Sequence, residues 1–129
     1  MVVELLCEQG CLRIVVNDDL WCRVEVVADG VVTPLGAETF GIFAARLSEA
    51  VSPERRGPGV ANMDGPVRWV MSLSEHHGTI YAEDRGDTLW LLCEDDQGKV
   101  FATLQLSATD RLGWSGNLAA ARSRLRAGR

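Results

Sequence analysis

Four cysteines, two histidines and several clustered carboxylates are the residues of this 129-residue chain whose types could do chemistry. Cys7 and Cys11 flank Glu-Gln-Gly at a predicted hairpin, and Cys22 and Cys93 each fall in a later strand. A zinc module commonly supplies its soft ligands as paired Cys-x-x-Cys, and that spacing is absent. A tight hairpin would also allow a Cys7–Cys11 disulfide. The third reading, which is the expectation adopted, is four small buried or half-buried thiols in a reducing compartment, with no metal and no cofactor.

His76 and His77 are adjacent, so on a strand they would point to opposite faces and could not easily share one metal. Neither lies near a Ser or Cys in a nucleophile motif, and Glu75-His76-His77-Gly78 reads as a solvated turn. The carboxylates of Asp18-Asp19, Glu83-Asp84 and Glu94-Asp95-Asp96 fall at predicted turns, and no pair has a spacing that implies acid–base catalysis. The Ser52–Gly65 stretch is rich in proline and glycine but lacks the Lys-Ser/Thr of a phosphate-binding loop. No catalytic residue is assigned, and the chain is expected not to be an enzyme. Arg122, Arg124, Arg126 and Arg129 form the basic run. At a helix C-terminus each such cation contributes about 0.3–1 kcal/mol when exposed; the functional alternative is an anchor for phosphate or for a partner's acidic patch.

The elements that must position these residues are legible from periodicity. Val67–Ser74, Thr79–Asp84, Thr88–Glu94 and Lys99–Leu106 read as four strands joined by polar turns. Ser107-Ala108-Thr109-Asp110 then matches the Ser-x-x-acid capping box. The helix that follows carries Trp114, Leu118, Ala121 and Leu125 on one face, with Gly113 and Gly116 predicting a frayed or bent start. Residues 1–52 align with this unit. Leu20-Trp21 falls on Leu89-Trp90, Asp29-Gly30 on Gln97-Gly98, Gly36-Ala37-Glu38-Thr39 on the capping box, and Phe43, Leu47 and Ala50 on Trp114, Leu118 and Ala121. The expectation is therefore an α+β fold made by tandem duplication of an antiparallel four-stranded meander followed by one helix, ββββα twice. Residues 1–52 and 66–127 form the two repeats of one domain, joined by loop 53–65. Pro34 predicts a weak fourth strand in the first repeat, because proline cannot donate to a ladder.

Period two fixes the two faces of the sheet. One carries Leu12, Ile14, Val16, Leu20, Cys22, Val24, Val26, Ile80, Leu89, Leu91, Cys93, Val100, Ala102 and Leu104 and should be core. The other carries Arg13, Trp21, Arg23, Glu25, Tyr81, Glu83, Trp90, Phe101, Thr103 and Gln105. Arg13, Trp21, Arg23, Tyr81, Trp90 and Phe101 are the candidate binding residues. Aromatics interleaved with arginine suit a protein interface, and they could also stack on bases. A covering helix or dimer partner would instead make them core.

Charge separates these alternatives. The formal net charge is −5, Lys99 is the single lysine, and 47% of residues are hydrophobic. Such a chain folds rather than staying disordered, and its acidic balance disfavours nucleic acid and anionic membranes. No apolar stretch is long enough to span a membrane. The opening Met-Val-Val-Glu has neither a basic region nor an apolar run, which predicts no signal peptide and a cytoplasmic protein.

The tandem strand-strand-strand-strand-helix order resembles the Whirly-type fold. The resemblance implies a pseudo-dimer in which each helix packs across the other unit's sheet. The lysine-containing strand motif of the plant Whirly proteins has no counterpart in the second strands, which read Cys-Leu-Arg-Ile-Val-Val and Thr-Ile-Tyr-Ala-Glu-Asp. The sporulation and cell-division regulators of actinomycetes are similar in architecture and act through protein partners. The expectation is thus a non-catalytic regulatory or adaptor module that binds an unknown protein and forms a homo-oligomer. The alternative is a single-stranded nucleic-acid binder using the aromatic–arginine face.

Overall fold

The computed structural model describes residues 1–52, 60–61, 67–71 and 73–128. The chain runs β1 (Val2–Cys7), β2 (Gly10–Val16), β3 (Trp21–Ala28), β4 (Val31–Thr39), α1 (Phe40–Val51), β5 (Val60–Ala61), β6 (Val67–Met71), β7 (Glu75–His76), β8 (Gly78–Asp84), β9 (Leu89–Asp95), β10 (Val100–Leu106) and α2 (Ala108–Ala127). Two antiparallel sheets result. The first has the order β1-β2-β3-β4-β7 and the second β10-β9-β8-β6-β5. The protein is α+β, as expected. Most of the predicted loop 53–65 lies outside the described residues; within it, Val60–Ala61 pairs with β6 as a short strand.

Alternation explains the strands. In β2, Leu12, Ile14 and Val16 are buried and Arg13 and Val15 are not; in β9, Leu89, Leu91 and Cys93 are buried. Each fully buried aliphatic side chain contributes about 1.5–3 kcal/mol relative to exposure. Asp29 and Gly30 both take positive φ, 53° and 75°, between paired Ala28 and Val31. That is the two-residue turn whose twist matches a right-twisted hairpin. Of the fourteen predicted core positions, Leu20 is only half-buried and Val100 is exposed. The physical reasons are local. Leu20 ends a turn with φ 67°, and Val100 sits at a register shift against β9.

Other local expectations change. Glu75-His76 is a strand rather than a turn, paired with Ala37 and Gly36 of β4. Gly36 permits this approach, because a Cβ there would collide with the Glu75 carbonyl oxygen. Strand β4, expected to be weak, is the longest strand among the described residues, and Pro34 is tolerated at its register shift with β3. The capping box of α2 is present: the Ser107 hydroxyl accepts from the Asp110 N–H at 3.1 Å, and Asp110 accepts from the Ser107 N–H at 3.0 Å. Its counterpart is absent from α1, where Thr39 is the N-cap without a side-chain bond. Despite its two glycines α2 is unbroken, because the box fixes its first turn and buried Trp114 anchors the next.

One hydrophobic cluster draws on both sheets and both helices, from Val3 and Leu5 through Phe43 and Leu47 to Trp114 and Leu118. The helices are crossed: α2 lies against β1, α1 lies against β6, and the two helices touch. Two polar bonds fix the crossing. Trp114 Nε1 donates to the Leu6 carbonyl at 2.7 Å, and buried Arg111 donates through Nε to the Val51 carbonyl at 2.8 Å. The second bond satisfies a carbonyl that the end of α1 leaves without a helical donor.

Candidate interaction surface

Arg13, Trp21 and Arg23 occupy the outer face of the first sheet. Arg13 and Glu25 are direct cross-strand neighbours, with Nη1 and Oε2 3.5 Å apart. Arg23 is exposed, and Trp21 is half-buried at the start of β3, where its backbone N–H donates to Asp19 Oδ1 at 3.0 Å. Val2 and Leu6 on neighbouring β1 are 53% and 63% exposed.

Tyr81 and Trp90 lie on the second sheet, not on a single surface with Trp21. Period two assigns each residue to a face of its own strand, and here the strands belong to separate sheets. The Arg85 guanidinium stacks over the Trp90 ring at 3.6 Å from its centroid, and Trp90 Nε1 donates to Thr88 Oγ1 at 2.9 Å. Arg85 is held there by two atoms on Glu83 Oε1, Nε at 3.2 Å and Nη2 at 3.1 Å. Glu83 is buried rather than displayed on an open face. One face of this indole is thus already taken by a cation of the same chain.

Phe101 lies on β10, which pairs with the strand of Trp90 in the second sheet. It occupies the register shift between Val100 and Ala102. It lines a cleft of about 240 Å³ with Ala28, Asp29 and Val31 of the β3–β4 hairpin. A second cleft, of about 410 Å³, shares Asp29 and Phe101 and reaches Glu8, Gln9 and Thr103. Phe101, Val100 and Val31 are 36%, 45% and 60% exposed.

The thiols are free and unsuited to nucleophilic work. Cys7 pairs with Gly10 and Cys11 with Leu6, so the two thiols emerge on opposite faces and the hairpin disulfide is geometrically blocked. Burial pushes the Cys93 thiol up to about 12. Cys22 is raised to about 11 by burial and, to a lesser degree, by the charge of its cross-strand neighbour Glu38. Burial also raises Cys7 and Cys11. Among the described residues no group of three or more His, Cys, Asp or Glu could hold a metal ion.

Glu38 is the ionisable group with the most specific surroundings. Burial would raise its pKa. Hydrogen bonds from the Ser74 hydroxyl at 2.8 Å, the Thr39 N–H at 2.8 Å and the Ser74 N–H at 3.1 Å, together with Arg46 at 3.9 Å, outweigh that and hold it below its ordinary value. The carboxylate ties the end of β4 to the segment leading into β7. Its place in the Gly-Ala-Glu-Thr stretch suggested a capping role and gave no sign of Ser74. The arginines near the C-terminus of α2 divide between two clefts. Arg122 and Arg126 flank the start of α1 beside Thr39 and Phe40, and Arg124 faces the Asn17-Asp18 turn. Arg129 lies outside the described residues.

Neither models of known protein families nor curated proteins match this chain. Among the described residues no helix is long and apolar enough to cross a membrane.

Proposed function

We propose that the chain is a non-catalytic regulatory or adaptor module that acts through protein–protein interaction. The observation that carries this reading is the gathering of exposed Val31, Val100 and Phe101 around the clefts between the β3–β4 hairpin and β10. Contiguous exposed apolar surface beside polar groups is typical of interaction sites. The ionisable groups support the same reading. Glu38, Glu83 and Arg85 are engaged in ties within the fold, and the thiols are held protonated. Homo-oligomerisation is part of the proposal, supported by exposed Val2 and Leu6 on the edge strand β1 of the first sheet.

The tandem origin of the two units is proposed with it. Strands β6, β8, β9 and β10 follow one another across the second sheet as β1 to β4 do across the first, although β5 adds a fifth strand there and β7 joins the first sheet. Phe43, Leu47 and Ala50 match Trp114, Leu118 and Ala121 at one constant offset, all six buried. Crossing of the helices supports the Whirly-type architecture. The nucleic-acid alternative is weakened by Arg85 on the Trp90 ring, because a base would have to displace it to stack on that side. Titration with labelled single-stranded DNA at low salt tests the choice. No saturable submicromolar binding is expected. Submicromolar binding that Trp21→Ala and Trp90→Ala both abolish, with the fold intact, would make the alternative the better account.

A further inference from the structure

The second sheet ends at β10, which has β9 on one side and, among the described residues, no strand paired on the other. The outward direction of its backbone is marked by a single bond. The Gln105 N–H turns away from β9 and donates to the side-chain oxygen of Gln9 at 2.9 Å. Gln9 stands in for a strand at that position. Backbone groups of alternate residues point the same way, so the N–H and C=O of Thr103 also face outward, into the cleft that Gln9 and Thr103 line. Val100–Leu106 reads Val-Phe-Ala-Thr-Leu-Gln-Leu, with neither charge nor proline. Edge strands that must stay unpaired usually carry one of those devices.

The fold contains a precedent. The fourth strand of the first unit, β4, has its outer edge covered by the two-residue strand β7, and the His77 N–H adds a bond to the Leu35 carbonyl. The last strand before α2, β10, has the Gln9 side chain and an open cleft instead. The chemistry of that cleft selects an occupant. Phe101 and Val31 offer apolar contact, Glu8 and Asp29 supply negative charge, and none of the described residues lining the two clefts is cationic. A second copy of this acidic chain would bring like charges together, whereas a cationic segment is attracted.

We propose that the open edge of β10 is the docking site for an extended, Lys/Arg-bearing peptide segment of a partner protein. The segment adds as a strand at Thr103 and sets an apolar side chain against Phe101 and Val31. Main-chain bonds give such a complex its affinity and alternate side chains its specificity. The inference rests on the protein-binding reading above and specifies its partner.

The test is selection of displayed random linear peptides on the full-length protein, followed by affinity measurement on groove variants. Selected peptides are expected to combine Lys or Arg with alternating apolar residues. Thr103→Pro removes only an outward donor, which an edge strand tolerates. It should weaken binding about tenfold, the scale of one lost hydrogen bond at an interface. Phe101→Asp and Glu8→Lys should weaken it as well, and bound peptide should slow hydrogen exchange of the Thr103 amide. If Thr103→Pro disturbs the fold, N-methylation of the peptide at alternate amides gives the same readout. Failure to select any peptide, or peptides that bind wild type and all three variants equally, would overturn the proposal. A concentration-dependent dimer that Thr103→Pro dissolves would overturn it too, in favour of β10 pairing between copies. Partner proteins retained equally by the groove variants would refute this site while leaving the adaptor reading standing.

Discussion

Trp114 of α2 donates its indole N–H to the carbonyl of Leu6 in β1, at 2.7 Å. The bond joins the last helix of the chain to its first strand, and the ring around it is buried. Trp114→Ala should therefore cost about 3–5 kcal/mol in denaturant unfolding. Trp114→Phe keeps most of the packing and should lose about 0.5–1.5 kcal/mol for the bond alone. A cost below about 1 kcal/mol for the alanine variant, a surface-like value, would show that the helix is not anchored here.

Glu38 should make the fold acid-sensitive in a defined direction. Its native pKa lies below the ordinary 4.5, so as pH falls the unfolded chain takes up the proton first. The stabilisation is present above about pH 4.5 and is lost as pH drops through the lowered native value. Glu38→Gln should cost about 1–3 kcal/mol at neutral pH, through disturbed bonds to Ser74 and Thr39, and should flatten the acid slope. Unfolding curves from neutral into acid pH check both effects. An unchanged slope would exclude Glu38 as the source.

The four thiols should separate by rate. In denaturant without reductant all four should react with a thiol reagent. In the native state, half-buried Cys7 should react before Cys22 and Cys93, whose pKa values of about 11 and 12 leave little thiolate. Cys93 reacting as fast as Cys7 would contradict the burial described for it.

Arg85 should shield Trp90. Arg85→Ala should increase acrylamide quenching of tryptophan emission, and the increase should vanish when Trp90→Phe is added. The stability cost should be about 0.5–1 kcal/mol for the stacking, plus the loss felt by buried Glu83. Unchanged quenching would mean that the guanidinium does not cover the ring.

These relationships also show what was legible in the sequence. Strands β2, β3, β8 and β9 follow from alternation, the β3–β4 turn from Asp29-Gly30, and the start of α2 from Ser107 and Asp110. Each of those signals is local, lying within a few residues. What escaped depends on residues far apart. Strand β7 has two residues, too few for a period, and it exists because Gly36 lets the chain approach β4 closely. Glu38 is read through Ser74, thirty-six positions away. The candidate surface is divided between two sheets for the same reason. Each of Arg13, Trp21, Arg23, Tyr81 and Trp90 could be assigned to a face of its strand, but period two does not say which sheet a strand joins. Phe101 keeps the outer side of β10 with Thr103 and Gln105, and its apolar neighbour Val31 comes from the β3–β4 hairpin of the first sheet.

The central claim is that this chain works by holding another protein. The most direct measurement is affinity capture by the full-length chain from extracts of its source cells, with and without nuclease, quantified by mass spectrometry. The account predicts the same proteins retained in near-stoichiometric amounts under both conditions. Retention of nucleic acid, or of proteins that disappear on nuclease treatment, would contradict it.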